Sequence, residues 1–373
     1  MAKDEGHTVS RRGFLKKAAL GTLAFSSVPA LIGSRRAEAY EPGAEIHPNI
    51  SPLRVVGLRD PRMTTRQSLN TDWSVRDPMV ATQVVHDNMD RLAMALVQEN
   101  RAADAWKGVF LKPAGKSWSD VVVAIKTNQI AQQRTRSAVM SKICHVLTET
   151  MGVSASNIHI YDACHGRSMS GNPWVGLPEG VHQASRWGGY NVKTKVPAPY
   201  FGGQRTSECL DRLVQGKVDI LVNVALCKGH GGQFGGFTMS MKNHFGTFNP
   251  RPSHGAGGGA DYLIGINKAP EILGSIDPKT GNVLFPRQQL CIIDALWASE
   301  PGPGGLPTHQ PNAILMGTFN PVLDYVAAMR LRKDMMGWRV NENVAKRFLS
   351  EFGVKEGELP NGGRIVDAAQ WPA

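Results

Sequence analysis

The chain lacks most of the signatures that announce a chemistry. Its 373 residues include five cysteines, at 144, 164, 209, 227 and 291, and no two stand in a C-x₂-C pair. A locally bound ferredoxin-type iron–sulfur cluster and a zinc ribbon are therefore excluded. No Gly-x-Ser-x-Gly elbow, His-Glu-x-x-His helix or phosphate-binding P-loop occurs, so the common hydrolase, metalloprotease and nucleotide-triphosphatase classes have no basis. Acidic residues are scarce, 31 against 42 Lys and Arg, giving a formal charge of +11. Such an excess invites a nucleic-acid or anionic-membrane partner, but its distribution argues otherwise.

Much of the excess lies in the first 39 residues. Ser10-Arg11-Arg12-Gly13-Phe14-Leu15-Lys16 precedes an uncharged stretch over 18–33, followed by Arg35-Arg36 and Ala37-Glu38-Ala39. A basic segment, a short apolar segment and an A-x-A site are the parts of a signal peptide. The apolar segment is short and rich in Gly, Ala and Ser, which does not make a stable transmembrane anchor. The paired arginines followed by Gly-Phe-Leu-Lys resemble the twin-arginine export signal. That resemblance implies a folded cargo, the twin-arginine translocase as a transient partner, and a periplasmic or otherwise exported destination. Cleavage after Ala39 leaves 35 basic and 28 acidic residues, a net charge of +7. No basic run or basic-aromatic stripe remains in the mature chain, so nucleic acid is not an expected partner.

Residues 40–373 are expected to form one α/β domain. Its sheet should be mixed or mostly parallel, with flanking helices and long Gly/Pro-rich loops. Strands are expected at 53–58, 121–125, 158–161, 218–224, 291–293 and 313–316, and helices over 77–101, 131–150 and 321–333. Val121-Val122-Val123-Ala124-Ile125 is continuously apolar and mostly β-branched, as a strand buried on both faces requires. In the first helix Val85, Met89, Leu92 and Leu96 recur at helical spacing. Strands alternating with helices imply crossover units. The loops 166–206 and 247–265 interrupt this rhythm, and long loops in an α/β domain are often functional.

The informative block is Asn223-Val224-Ala225-Leu226-Cys227-Lys228-Gly229-His230, then Met241-Lys242-Asn243-His244-Phe245-Gly246. It leaves the C-terminal end of a buried strand, where ligands bind in open α/β sheets. Glycines at 229, 231, 232, 235 and 236 would let backbone approach a ligand. The block resembles domain-of-unknown-function family 362, whose pattern reads Asn-Leu-Pro-x-Leu-Lys-Thr-His and, after a gap, Leu-Lys-Asn-x-Phe-Gly. Lys228, His230, Lys242, Asn243, Phe245 and Gly246 occupy the matching positions, while Ala225 and Gly229 replace a Pro and a Thr. Upstream, Ile125-Lys126-Thr127-Asn128 resembles the family's Ile-Lys-Pro-Asn turn. Downstream, Asp294, Gly302-Pro303 and the segment around Asp324 resemble its C-terminal half, so the likeness spans about 53–335. Some family members carry cluster-binding segments, which implies proximity to redox chemistry.

These residues define an expected pocket. Lys126, Lys228 and Lys242 supply positive charge, Asn128 and Asn243 orient a ligand, and Asp162 anchors it or caps a helix. His230, Lys228 and Lys242 are the candidate catalytic groups. Cys164, His165, His230 and His244 are a candidate transition-metal set, since thiolate and imidazole suit zinc, iron or nickel. The rival reading makes Cys144, Cys227 and Cys291 buried hydrophobes, or pairs four of the five cysteines in two disulfides with one thiol free. Asp324, on an expected helix, could equally be a surface charge. The expected partner is a small anionic ligand or cofactor. The alternative is a redox enzyme docked by the aromatics Trp174, Trp187, Tyr190, Tyr200 and Phe201, with the chain as a non-catalytic binding or assembly protein.

Overall fold

The computed structural model describes residues 53–130, 132–163, 173–183, 193–200, 203–254, 258–276, 283–360 and 363–370. Nine strands form its main sheet: β1 (Val55–Arg59), β2 (Val123–Lys126), β3 (Ile158–Tyr161), β4 (His182–Gln183), β5 (Ile220–Gly229), β6 (Phe237–Thr238), β7 (Gln288–Ser299), β8 (Ala313–Gly317) and β9 (Ile365–Asp367). The order is β9-β1-β8-β7-β5-β2-β3-β4, with β6 added along β5. Strands β7, β5, β2, β3 and β4 are mutually parallel. Strand β8 runs antiparallel to both β7 and β1. This is the mixed, mostly parallel α/β sheet that the alternation of strands and helices implies.

Apolar continuity decides which strands lie in the middle. Every residue of β2, β5 and β7 is buried, because a parallel strand between two others is covered on both faces. Helices α1 (Thr82–Val97), α2 (Ala102–Val109) and α3 (Ser137–His145) pack against one another beside the sheet. Helix α1 turns Val85, Met89, Leu92 and Leu96 inward and stops at Gln98, whose φ of 61° is left-handed. Helix α3 starts six residues later than periodicity predicts. The preceding residues form a small hairpin, Gln129–Ile130 against Gln133–Arg134, and the backbone N–H of Gln129 is held by Asp162.

The chain order creates the feature that positions the site. From β2 it moves outward to β3 and β4, then returns to lay β5 on the opposite side of β2, with β7 beyond. Between β2 and β5 the direction of winding reverses, and ligands in open α/β sheets bind outside the carboxyl ends of strands at such a point.

Candidate functional site

The carboxyl ends of β2, β3 and β5 carry a buried polar layer. Lys126, the last residue of β2, has no exposed surface. Its ammonium donates to Asp162 Oδ1 at 2.9 Å and to the Thr127 carbonyl at 2.6 Å, and it lies 5.8 Å from the centre of the Tyr161 ring. Lys228, near the end of β5, is also buried and donates to Asn128 Oδ1 at 2.7 Å and to the Pro303 carbonyl at 3.1 Å. Asn128 and Asp162 therefore hold the two lysines, and Asp162 also holds the hairpin.

Behind the lysines lies an amide and imidazole network. Asn243 Nδ2 donates to Asn223 Oδ1 at 2.8 Å and to the carbonyls of Val224 and Lys126. Its buried Oδ1 has no hydrogen-bond partner among the described residues. His244 Nε2 lies 2.6 Å from Gln288 Oε1, and its Nδ1 lies 3.3 Å from Thr247 Oγ1, which bonds the Tyr161 hydroxyl. The short contact to a carbonyl oxygen puts the His244 proton on Nε2 and leaves Nδ1 to accept from Thr247. Burial lowers the pKa of His244 to about 3, against the pull of Gln288, so the ring is neutral and fully occupied.

Asp324 fixes the turn that bears these groups. It lies in helix α4 (Asn320–Val326) and is buried. Its carboxylate accepts from the N–H groups of Ser240 at 2.7 Å and Met241 at 2.8 Å. The following turn, Lys242–His244, is thereby pinned to a helix more than 80 residues further along the chain.

The accessible rim is separate from this layer. His230, Lys242 and His254 surround Phe234 and Phe245. The Lys242 ammonium lies 4.7 Å and 4.1 Å from the two phenyl centres. His230 meets Phe234 edge-on at 4.6 Å, and His254 lies 5.5 Å from both phenyl rings. His230 Nδ1 accepts from the Gly231 N–H at 2.8 Å, so the neutral ring carries its proton on Nε2 and presents a donor. Burial, then Lys242, His254 and Lys228, lower its pKa to about 3. His254 Nδ1 lies 3.0 Å from the Pro250 carbonyl, which puts that ring's proton on Nδ1 and leaves Nε2 an acceptor. The rim thus offers an ammonium and one imidazole donor above buried phenyl rings.

The family model for a domain of unknown function, DUF362, matches residues 123–329, more than half of the chain. The chain belongs to the DUF362 family. The matched span runs from β2 past α4 and contains every residue of both layers. Neither a curated protein nor a solved structure matches the chain.

Within this DUF362 domain the expected site residues fall into three groups. Lys126, Asn128, Asp162, Lys228, Asn243 and His244 belong to the buried layer, and His230 and Lys242 to the rim. Cys164 and His165 lie outside the described residues, among which no three His, Cys, Asp or Glu side chains are grouped to hold a metal ion. Cys144, Cys227 and Cys291 are buried free thiols, which leaves at most two of the five cysteines to pair and so corrects the two-disulfide alternative. Burial also pushes the thiols of Cys144, Cys227 and Cys291 up, away from nucleophilic thiolate.

Two further expectations are corrected. Trp174 is not an exposed anchor. It is 3% exposed and its Nε1 donates to the Thr135 carbonyl at 3.1 Å. Trp187, Tyr190 and Phe201 lie outside the described residues, and Tyr200 is described by its backbone alone. Asp324 is a buried anchor and not a surface charge. Sequence reasoning also left out Gln288 and Thr247. Gln288 opens a strand otherwise taken as three apolar residues, and Thr247 lies in a loop, so neither carries a local signal.

Gly229, Gly235 and Gly236 serve the protein's own packing and turns. Gly235 and Gly236, with φ of 87° and 83°, close the turn between β5 and β6. At Gly229 a Cβ would lie 1.6 Å from the Glu300 carbonyl oxygen. Gly229→Ala must therefore push the 300–302 backbone away from β5. The expected loss is about 1–3 kcal/mol, typical of overpacking, with a lower urea midpoint and an unchanged m-value.

Proposed function

We propose that this DUF362 protein is exported and binds a small anionic ligand at the carboxyl edge of its sheet, on the rim formed by His230, Lys242 and His254. The observation that carries the reading is the rim's composition at the switch point. Its polar groups are an ammonium and two imidazoles, of which His230 carries its proton on Nε2, a donor, and His254 on Nδ1, against the Pro250 carbonyl. Buried Lys228 adds positive potential behind it, in a medium that screens it little, whereas the charge of Lys126 is balanced by Asp162. Phe234 and Phe245, at 0% and 5% exposed, form the buried floor on which the Lys242 ammonium rests. The buried layer positions the rim through Asn243, His244 and Asp324. Export in the folded state rests on the twin-arginine resemblance alone. Among the described residues no helix is long and apolar enough to cross a membrane.

Titration calorimetry of the mature protein with inorganic phosphate, aliphatic dicarboxylates and aromatic carboxylates tests the reading. At least one probe should bind. Lys242→Ala should weaken it by about 10- to 100-fold, the worth of a charge-assisted hydrogen bond. Because His230 stays neutral down to about pH 3, its ring should add no pH dependence between pH 5 and 8. Absence of binding by every probe, or equal binding by Lys242→Ala and His230→Ala, would remove the basis for this function.

A further inference from the structure

Resting on the anionic reading of the rim, we propose that its ligand is a hydroxycarboxylate, an acid that carries a hydroxyl donor beside its charge. The two rim imidazoles play opposite roles. His230 Nδ1 accepts from the Gly231 N–H at 2.8 Å, so Nε2 of the neutral ring holds the proton. His254 is held the other way round. Its Nδ1 lies 3.0 Å from the Pro250 carbonyl and 2.9 Å from Ser253 Oγ. The carbonyl can only accept, and the Ser253 hydroxyl gives its hydrogen to that same carbonyl at 2.6 Å. The His254 proton therefore sits on Nδ1, and Nε2 of the neutral ring carries a lone pair.

These roles meet over one small area. The two imidazole centres are 5.9 Å apart, and both rings lie against Phe234, at 4.6 Å and 5.5 Å. The Lys242 ammonium stands over the same phenyl ring at 4.7 Å and over Phe245 at 4.1 Å. His254 is exposed and His230 and Lys242 are half-buried, so all three side chains reach solvent. A plain carboxylate suits Lys242 and His230, but its oxygens carry only lone pairs, and toward His254 they meet another lone pair. A hydroxyl on the adjoining carbon reverses that contact. It donates to His254 Nε2 while the carboxylate keeps the ammonium and the His230 N–H. Such a hydroxyl keeps its proton wherever the carboxylate is charged, whereas a phosphate monoester, with a second pKa of about 6, has no donor left at pH 8.

The test is titration calorimetry on the mature chain at pH 8 with two pairs of acids that differ by one hydroxyl, malate against succinate and lactate against propionate. Wild type should bind the hydroxy acid of each pair about 3- to 10-fold more tightly, the worth of one neutral hydrogen bond. His254→Phe keeps a ring against Phe234 and Phe245 but has no lone pair to offer, and there the preference should vanish. The position is exposed, so the variant should fold, and the wild-type comparison needs no variant at all. Lys242→Ala should weaken every acid and leave the preference unchanged. Equal binding of paired acids by wild type overturns the hydroxycarboxylate and leaves the anionic rim standing, as does a preference that survives in His254→Phe. If none of these acids binds, the hydroxycarboxylate is overturned as well, and the phosphate and aromatic carboxylate titrations decide whether the rim takes an anion.

Discussion

Replacing Lys126 by Met should cost about 3–5 kcal/mol of folding stability, the usual penalty for removing one partner of a buried ion pair. Its ammonium and Asp162 are almost fully shielded, at 0% and 8% side-chain exposure. Loss of the lysine leaves a carboxylate in the interior with the Gln129 N–H as its remaining partner among the described residues. Asp162→Leu should be comparably costly, because it leaves the ammonium on the Thr127 carbonyl alone. The double variant Lys126→Met/Asp162→Leu should recover most of the loss, since an apolar pair of similar volume often matches a buried ion pair. Urea unfolding of the four proteins closes the cycle. Single losses below about 1 kcal/mol, the range of exposed pairs, would mean that water reaches the pair and that the layer is open.

Asp324→Ala should be the other large loss, roughly 2–6 kcal/mol, because it strands two buried N–H groups at about 1–3 kcal/mol each. The carboxyl also makes stability depend on pH. Burial raises its pKa from 3.8 to about 7, against the two backbone bonds that lower it. Between those values the folded chain holds a proton that the unfolded chain has released. Stability therefore falls as pH rises from about 4 to about 7, by on the order of 4 kcal/mol for this group. Asp324→Asn carries no such proton. Its stability plotted against pH should be flatter than wild type over that window, while parallel curves would show a carboxyl that ionises in the ordinary range. Because Asp324 holds the turn before Lys242, Asp324→Ala should also weaken any ligand bound at the rim.

The central strands were legible where burial is uniform. Val123, Ala124 and Ile125 are apolar because neighbours cover both faces, and that pattern survives in one dimension. The same rule stopped short at β7. Gln288, Gln289 and Asp294 are buried within a twelve-residue strand, and their partners His244, Leu111 and Arg136 come from elsewhere in the chain. A polar residue inside an apolar strand reads as an end until its partner is known. The residue types of the site were visible, as was their place at strand ends. Their division into a sealed layer and an accessible rim was not, because it depends on which side chains face Asp162, Pro303 or Phe245. Asp324 did leave one trace, a lone carboxylate amid Pro321-Val322-Leu323 and Tyr325-Val326-Ala327. A charge flanked on both sides by apolar residues of a buried helix needs bonded partners.

Strand β1 has a consequence for the order of assembly. Both of its neighbours, β8 and β9, come from the last sixty-one residues of the chain. At synthesis rates of roughly 5–20 residues per second, Val55–Arg59 waits about 10–50 s after its own emergence before β8 is made. During that interval a strand of the finished sheet has no permanent neighbour and is open to pairing with other chains. Such a protein closes late and all at once, and shortening it from the C-terminus by even one strand should leave its earliest strand with an open edge.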